Sequence, residues 1–261
     1  MKKDVVAGLG EIGSPIYKLL SKNQDVVGYD KDPALMNQTK SKKFQSTPTS
    51  FLHVAIPVTK NFDSNILKLN EKFLPECIVI HSTISPGTTQ RIQKKLTIPL
   101  IFSATRGIHK RMLKDIQRYT KYFAISSSAP RKQWAVKTFN NKMKRCGIKT
   151  KQMSKPETLE LGKIICDTSY LGWLINYSQI SNMIAKSYGV NYDEMWEFSD
   201  EIHKFLGNRP KLYPGFIGGH CVIPNLELIH NDTLNLIKSL NNSYLKKVKN
   251  AKSINKKYTK N

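Results

Sequence analysis

Short apolar runs alternate along the chain with stretches whose apolar positions recur at helical spacing. Residues 4–7, 25–30, 51–56, 77–80, 98–102 and 122–125 read as strands, with a last one at roughly 148–153. Continuous apolar runs, rather than strict alternation, suit parallel strands covered on both faces. Helical spacing fills residues 14–20, 62–73 and 88–95, and Pro57 and the Pro86–Gly87 pair punctuate the turns between elements. A further helix opens near Pro130, buries a stripe of Trp134, Val136, Phe139 and Met143, and stops at Gly147. From residue 154 only helical signals remain. Ser154, Pro156 and Glu157 have the spacing of a capping box at the head of the longest helix, 157–188; Gly189 ends it, and Asn191 caps another to about residue 205. The pattern predicts an α/β unit with a doubly wound parallel sheet over 1–153, then a smaller all-helical unit over 154–261 whose Lys/Asn-rich tail is unstructured after about 247.

The glycines change this picture from fold to chemistry. Gly8, Gly10 and Gly13 form a GxGxxG run between the first strand and the first helix. The first glycine allows the tight turn, the second lets the backbone approach a pyrophosphate, and the third lets helix and strand pack closely. Asp30 ends the second strand, where an acid accepts hydrogen bonds from an adenosine ribose and repels a 2′-phosphate. A Rossmann-like unit binding NAD in preference to NADP is expected, with Glu11, Lys31 and Pro57 as further cofactor-binding candidates; the Lys31 cation weakens the preference.

Charge adds a candidate ligand class. The 261 residues carry 42 Lys+Arg against 19 Asp+Glu, a formal +23. Such a field attracts anions. The lysines are spread among asparagines without aromatic interleaving, so acidic small molecules are favoured over nucleic acid. No run of about 18 apolar residues suggests a membrane span. The four cysteines (Cys77, Cys146, Cys166, Cys221) lack metal-type pairing. The expectation is a cytoplasmic protein with reduced thiols, no metal and no membrane partner.

Two constellations in the helical part carry reactive groups. Lys163 and Asp167 are four apart, with Glu160 three residues before the lysine. This spacing equally describes an ordinary surface pair. The second is the run 213–225, a glycine-rich loop that delivers Cys221 to the start of a helix, where a thiol is biased towards the thiolate. His220 is its nearest candidate proton partner.

The GLGEIG run, the strand-end Asp30, the HSTISPGTT run, the helix with Lys163 and the YPGFIGGHC loop together resemble the UDP-glucose/GDP-mannose dehydrogenases, from residue 3 to about 225. The resemblance implies four-electron oxidation of a nucleotide-linked sugar alcohol to a carboxylate with two NAD. It implies Cys221 as the nucleophile, Lys163 as the cation that stabilises developing oxyanions, Thr83 beside the nicotinamide, and Ile12 and Asp30 at dinucleotide-binding positions. Flanking Glu160 and Asp167 should raise the lysine's pKa. Tyr213, Gly215, Phe216, Gly218 and Gly219 correspond to the loop that cradles the substrate, and Arg106 is a further substrate-binding candidate. The helix 157–188 corresponds to a homodimer seam.

The chain departs from that family pattern in four places. Asp167 stands where an Asn is usual, Asn225 where an Asp is usual, and Ala104–Thr105 where a Pro–Glu pair is usual. The C-terminal nucleotide-binding domain has no counterpart, which predicts a truncated form. Two other readings fit the same residues. One is a single-step hydroxy-acid dehydrogenase, which needs a helix lysine and no thiol. The other is a catalytically silent NAD-binding regulatory or scaffold protein.

Overall fold

A computed structural model describes residues 1–206, 214–219, 221–228, 230 and 232–249. The chain divides into two compact units, residues 1–163 and 164–261. In the first, β1 (Lys3–Ala7) leads through the glycine turn to α1 (Gly13–Leu20), β2 (Val26–Tyr29), α2 (Gln38–Lys43), β3 (Thr49–Val54) and α3 (Phe62–Phe73). It continues with β4 (Cys77–Ile80), α4 (Thr88–Gln93), β5 (Leu100–Phe102), α5 (Met112–Arg118), β6 (Lys121–Ile125), α6 (Lys132–Arg145), β7 (Thr150–Gln152) and α7 (Pro156–Gly162).

The seven strands form one sheet in the order β2-β1-β3-β4-β5-β6-β7. The strand order reverses between β1 and β3, and ligands of open α/β sheets bind outside the carboxyl ends of the strands at such a switch point. Five strands run parallel as the apolar runs predict, but β6 is antiparallel to β5, so the sheet is mixed rather than wholly parallel. Residues that alternate along each strand feed two cores, one per face. Val6, Phe51, Val79, Ile101 and Phe123 face α1, α5 and α6; Val5, Leu52, Ile78, Ile80 and Phe102 face α3 and α4.

The second unit contains α8 (Tyr170–Ser187), α9 (Tyr192–Glu197), α10 (Asp200–Leu206), α11 (Val222–Leu226) and α12 (Asp232–Lys249). The single helix expected over 157–188 is interrupted. α7 ends at Gly162, and Lys163–Ser169 is wound as a π-helix before α8 begins. The capping box is not made either: Lys155 occupies the N-cap of α7, with no side-chain cap hydrogen bond. Asn191 does cap α9, accepting from the Asp193 and Glu194 N–H groups. α12 carries its buried side chains Leu234, Ile237, Asn241 and Tyr244 on one face. Beyond Lys249 the expected unstructured tail lies outside the described residues. No described helix is long and apolar enough to cross a membrane.

Candidate functional site

The glycine turn leaves β1 at the switch point. Gly8 has φ +89°, a left-handed conformation that favours glycine, and a Cβ there would meet the Ala55 carbonyl oxygen at 2.5 Å. A Cβ on Gly13 would lie 1.6 Å from the Gly8 carbonyl oxygen, while around Gly10 there is open space. The turn therefore approaches its own sheet as closely as backbone allows and leaves room on its outer side. Asp30 braces it: Oδ2 accepts from the Leu9 N–H at 2.6 Å and Oδ1 from the Asp32 N–H at 3.0 Å. Each carboxylate oxygen keeps a second lone pair for a ribose hydroxyl. Ile12 is the N-cap of α1, Lys31 is exposed, and Glu11 pairs through Oε2 with His109 Nδ1 at 2.7 Å. That pair ties the turn to the segment after β5.

Pro57 follows β3, Thr83 follows β4 and Arg106 follows β5, so all three emerge at the same carboxyl edge as Gly8 and Asp30. Because β6 is antiparallel, its first residue, Lys121, also lies at this edge. It is only 6% exposed, and its Nζ donates to the Ser103 carbonyl at 3.0 Å and to Thr105 Oγ1 at 3.1 Å. Burial, reinforced by the charges of Arg106 and Lys163, brings its pKa down to about 7. Lys121 carries no signal in its own strand, because the residues that bury it come from other segments.

Lys121 ends a polar line that crosses the sheet beneath the edge. Lys142 Nζ contacts both Asp4 carboxylate oxygens at 2.9 Å, and His53 Nε2 lies 3.6 Å from Asp4 Oδ2, too far for a hydrogen bond. His53 Nδ1 and His81 Nε2 are 3.0 Å apart, and His81 Nδ1 is 3.2 Å from the Ser103 carbonyl that Lys121 also engages. Burial holds both imidazoles below their usual pKa. Burial would raise the Asp4 carboxyl, but His53 and Lys142 outweigh it and leave its pKa low.

Glu160 turns to the head of α4. The fully buried Glu160 carboxylate accepts from the Gly87 N–H (2.6 Å), the Thr89 N–H (2.9 Å) and the Thr89 hydroxyl (2.6 Å), so it caps α4 rather than flanking Lys163. Burial raises its pKa against the pull of these hydrogen bonds. Asp167 is exposed and lies with Lys163 in the π-helical stretch.

In the second unit, Cys221 is exposed at the N-cap of α11, and Asn225 donates its backbone N–H to the Cys221 carbonyl at 3.3 Å. Tyr213 and His220 lie outside the described residues. The loop before Cys221 is gripped from outside. Asn241 Oδ1 accepts from the Ile217 N–H (2.8 Å) while its Nδ2 donates to the Ile217 carbonyl (3.1 Å). Gln179 Nε2 donates to the Gly215 carbonyl (2.6 Å), and the Tyr244 hydroxyl to that of Pro214 (3.2 Å). Phe216 and Gly218 are left exposed, and Gly219 takes φ +72°. Nothing in the sequence singles out Gln179 on α8; for Asn241 and Tyr244 the apolar spacing of Leu234 and Ile237 with Tyr244 is the one signal available, and it marks only their helix.

No protein-family model matches the chain, and no curated protein matches it. Solved structures do share its fold, a Rossmann-like α/β unit followed by helices. One is a UDP-D-ManNAc dehydrogenase from Pyrococcus horikoshii (TM-score 0.75, 17% identity, covering 95% of this chain and 70% of that one). A second is the UDP-N-acetyl-mannosamine dehydrogenase of Staphylococcus aureus (TM-score 0.68, 17% identity, 95% and 69%). A third is the 3-hydroxyisobutyrate dehydrogenase of Mycobacterium tuberculosis (TM-score 0.67, 13% identity, 95% and 94%).

Proposed function

We propose that the protein is an NAD-dependent dehydrogenase that oxidises the primary alcohol of a sugar, carried on a nucleotide, to the carboxylate. The observation that carries this reading is the convergence of the glycine turn, Asp30 and Thr83 on one edge of the sheet at its switch point, a geometry that fits a dinucleotide. Open space outside Gly10 suits the pyrophosphate, Asp30 retains acceptor capacity for the ribose, and Glu11, Ile12, Lys31 and Pro57 line the approach. When bound, NAD accepts the hydride.

The chain's own residues then have distinct tasks. Lys163 stabilises negative charge as it gathers on the carbinol oxygen, which favours the transition state over the ground state. The Cys221 thiolate adds to the aldehyde carbon to give a thiohemiacetal, whose carbon again carries a transferable hydride. Loss of that hydride leaves a thioester, and water releases the carboxylate and the thiol. Asp167 and Asn225 are the polar groups available to orient water and substrate. Gly215, Phe216, Gly218 and Gly219, with Tyr213, cradle the sugar, and Arg106 meets its negative charge. The similar structures named for UDP-linked sugars support the substrate class. A homodimer through α8 is supported by Tyr170, Tyr177 and Ile184, exposed apolar side chains one heptad apart.

One measurement tests the reading: NADH absorbance with UDP- and GDP-sugars, with the product identified by mass. Two NADH per carboxylate, lost in Cys221→Ala, is the expected result. The single-step reading draws support from the hydroxyisobutyrate dehydrogenase, which is matched over 94% of its length. It requires one NADH per product and indifference to Cys221→Ala. NAD binding with no NADH from any alcohol would overturn both in favour of a silent binding protein.

A further inference from the structure

We propose that Lys121 and Arg106 form a proton-linked binding site for a small oxyanion, a carboxylate or a phosphate group, at the carboxyl edge of the sheet. The proposal rests on the reading of that edge as the substrate side of the cofactor site. Thr105, Arg106, Tyr119 and Lys121 line one pocket there, together with Asp115. The Arg106 guanidinium donates to the Thr120 carbonyl at 2.7 Å and lies 5.0 Å from the Tyr122 ring centre. Neither it nor Lys121 has a carboxylate partner among the described residues, although Asp115 shares the pocket. Asp115 Oδ2 accepts from the Ile108 N–H and from Arg111 Nε, both at 3.0 Å.

An ammonium has three donors, and two of those on Lys121 are accounted for by Ser103 and Thr105. Protonation therefore creates a third donor. Among the described residues, the charges that act most on Lys121 are the cations Arg106 and Lys163. On its other side is a cavity lined by Ile16, Leu19, Leu20, Met143, Ile148 and His81, where burial keeps the imidazole neutral. The neighbouring strand β7 and its approach offer only Lys149 and Lys151, both exposed. An apolar wall and two flanking cations make the free amine shed its proton near neutrality. An oxyanion between Lys121 and Arg106 reverses that balance, so it enters together with a proton. The carboxylate product of the proposed oxidation and a phosphate of its substrate share this chemistry.

Calorimetric titration of the full chain, without turnover, tests the site. The probes are glucuronate for the carboxylate and sulfate for the phosphate, because sulfate does not itself titrate near neutrality. Repeating each titration in buffers of different ionisation enthalpy counts the protons taken up. The expected result is uptake of about half a proton per anion at pH 7 and about tenfold weaker binding at pH 8 than at pH 6. The anion that shows both assigns the source. Lys121→Met should weaken binding at least about tenfold and abolish the proton uptake, whereas Arg106→Gln should weaken binding and leave the uptake in place. Binding of neither anion, binding without proton uptake in the unaltered protein, or unchanged binding in Lys121→Met overturns the proposal. Because no catalysis is required, the result stands apart from whether any sugar is oxidised.

Discussion

The two glycine-rich loops look alike in sequence and are held by different forces. The loop at Gly8–Gly13 is shaped from within: two of its three glycines are required by their own backbone, one by a positive φ and a 2.5 Å approach, the other by a 1.6 Å approach. In the loop before Cys221, a Cβ on Gly218 would meet only Phe216 ring atoms at 3.5 Å, and one on Gly219 would meet nothing within 4 Å. Its described part is instead pinned by three side chains from α8 and α12. The lesson is that a glycine motif specifies structure only where backbone must approach backbone. Elsewhere the glycines permit a shape that distant amides impose.

The sharpest way to break this comparison is Gly13→Ala. The added methyl has no room against the Gly8 carbonyl, so unfolding in urea should show a loss of at least ~3 kcal/mol, and NAD binding should disappear. Lys121→Met is expected to act in the opposite direction with a similar size. The folded-state pKa is about 7 against an ordinary value of 10.5, so between these values the unfolded chain holds a proton that the native chain lacks. The lysine's penalty is therefore largest at and below neutrality and fades as pH rises towards 10.5. The Met variant should gain roughly 4 kcal/mol at pH 7 and almost none at pH 10.5. The second loop responds through its hydrogen bonds. There, Asn241→Leu leaves the Ile217 N–H and carbonyl without their partner, for a loss of about 2 kcal/mol and faster hydrogen exchange at Ile217. Gly219→Ala should cost only about 1 kcal/mol in a thermal melt, through its positive φ, since space is available. A larger loss there than for Gly13→Ala would invert the comparison.

Legibility followed the range of the interactions. The first six strands of the first unit were readable because they bury short apolar runs, and Asn191 was readable as a cap because its partners, Asp193 and Glu194, are close in sequence. Glu160 was misread for the opposite reason: its partners, Gly87 and Thr89, lie some seventy residues away, and spacing suggested Lys163 instead. The break at Lys163 escaped notice because apolar spacing hardly distinguishes α from π winding over seven residues. β6 was found as a strand but not as an antiparallel one, since direction depends on its neighbours.

By itself the sequence determined the Rossmann-like rhythm of strands and helices, the glycine turn with its acid, and the helical character of the second unit. Each is a local property: periodicity, a backbone conformation only glycine adopts readily, or burial of one face. Only the tertiary structure decided what surrounds Lys121, which acid caps α4, and how the loop before Cys221 is held. Those depend on the dielectric, charges and hydrogen-bond partners that remote segments bring together, and no local pattern encodes them.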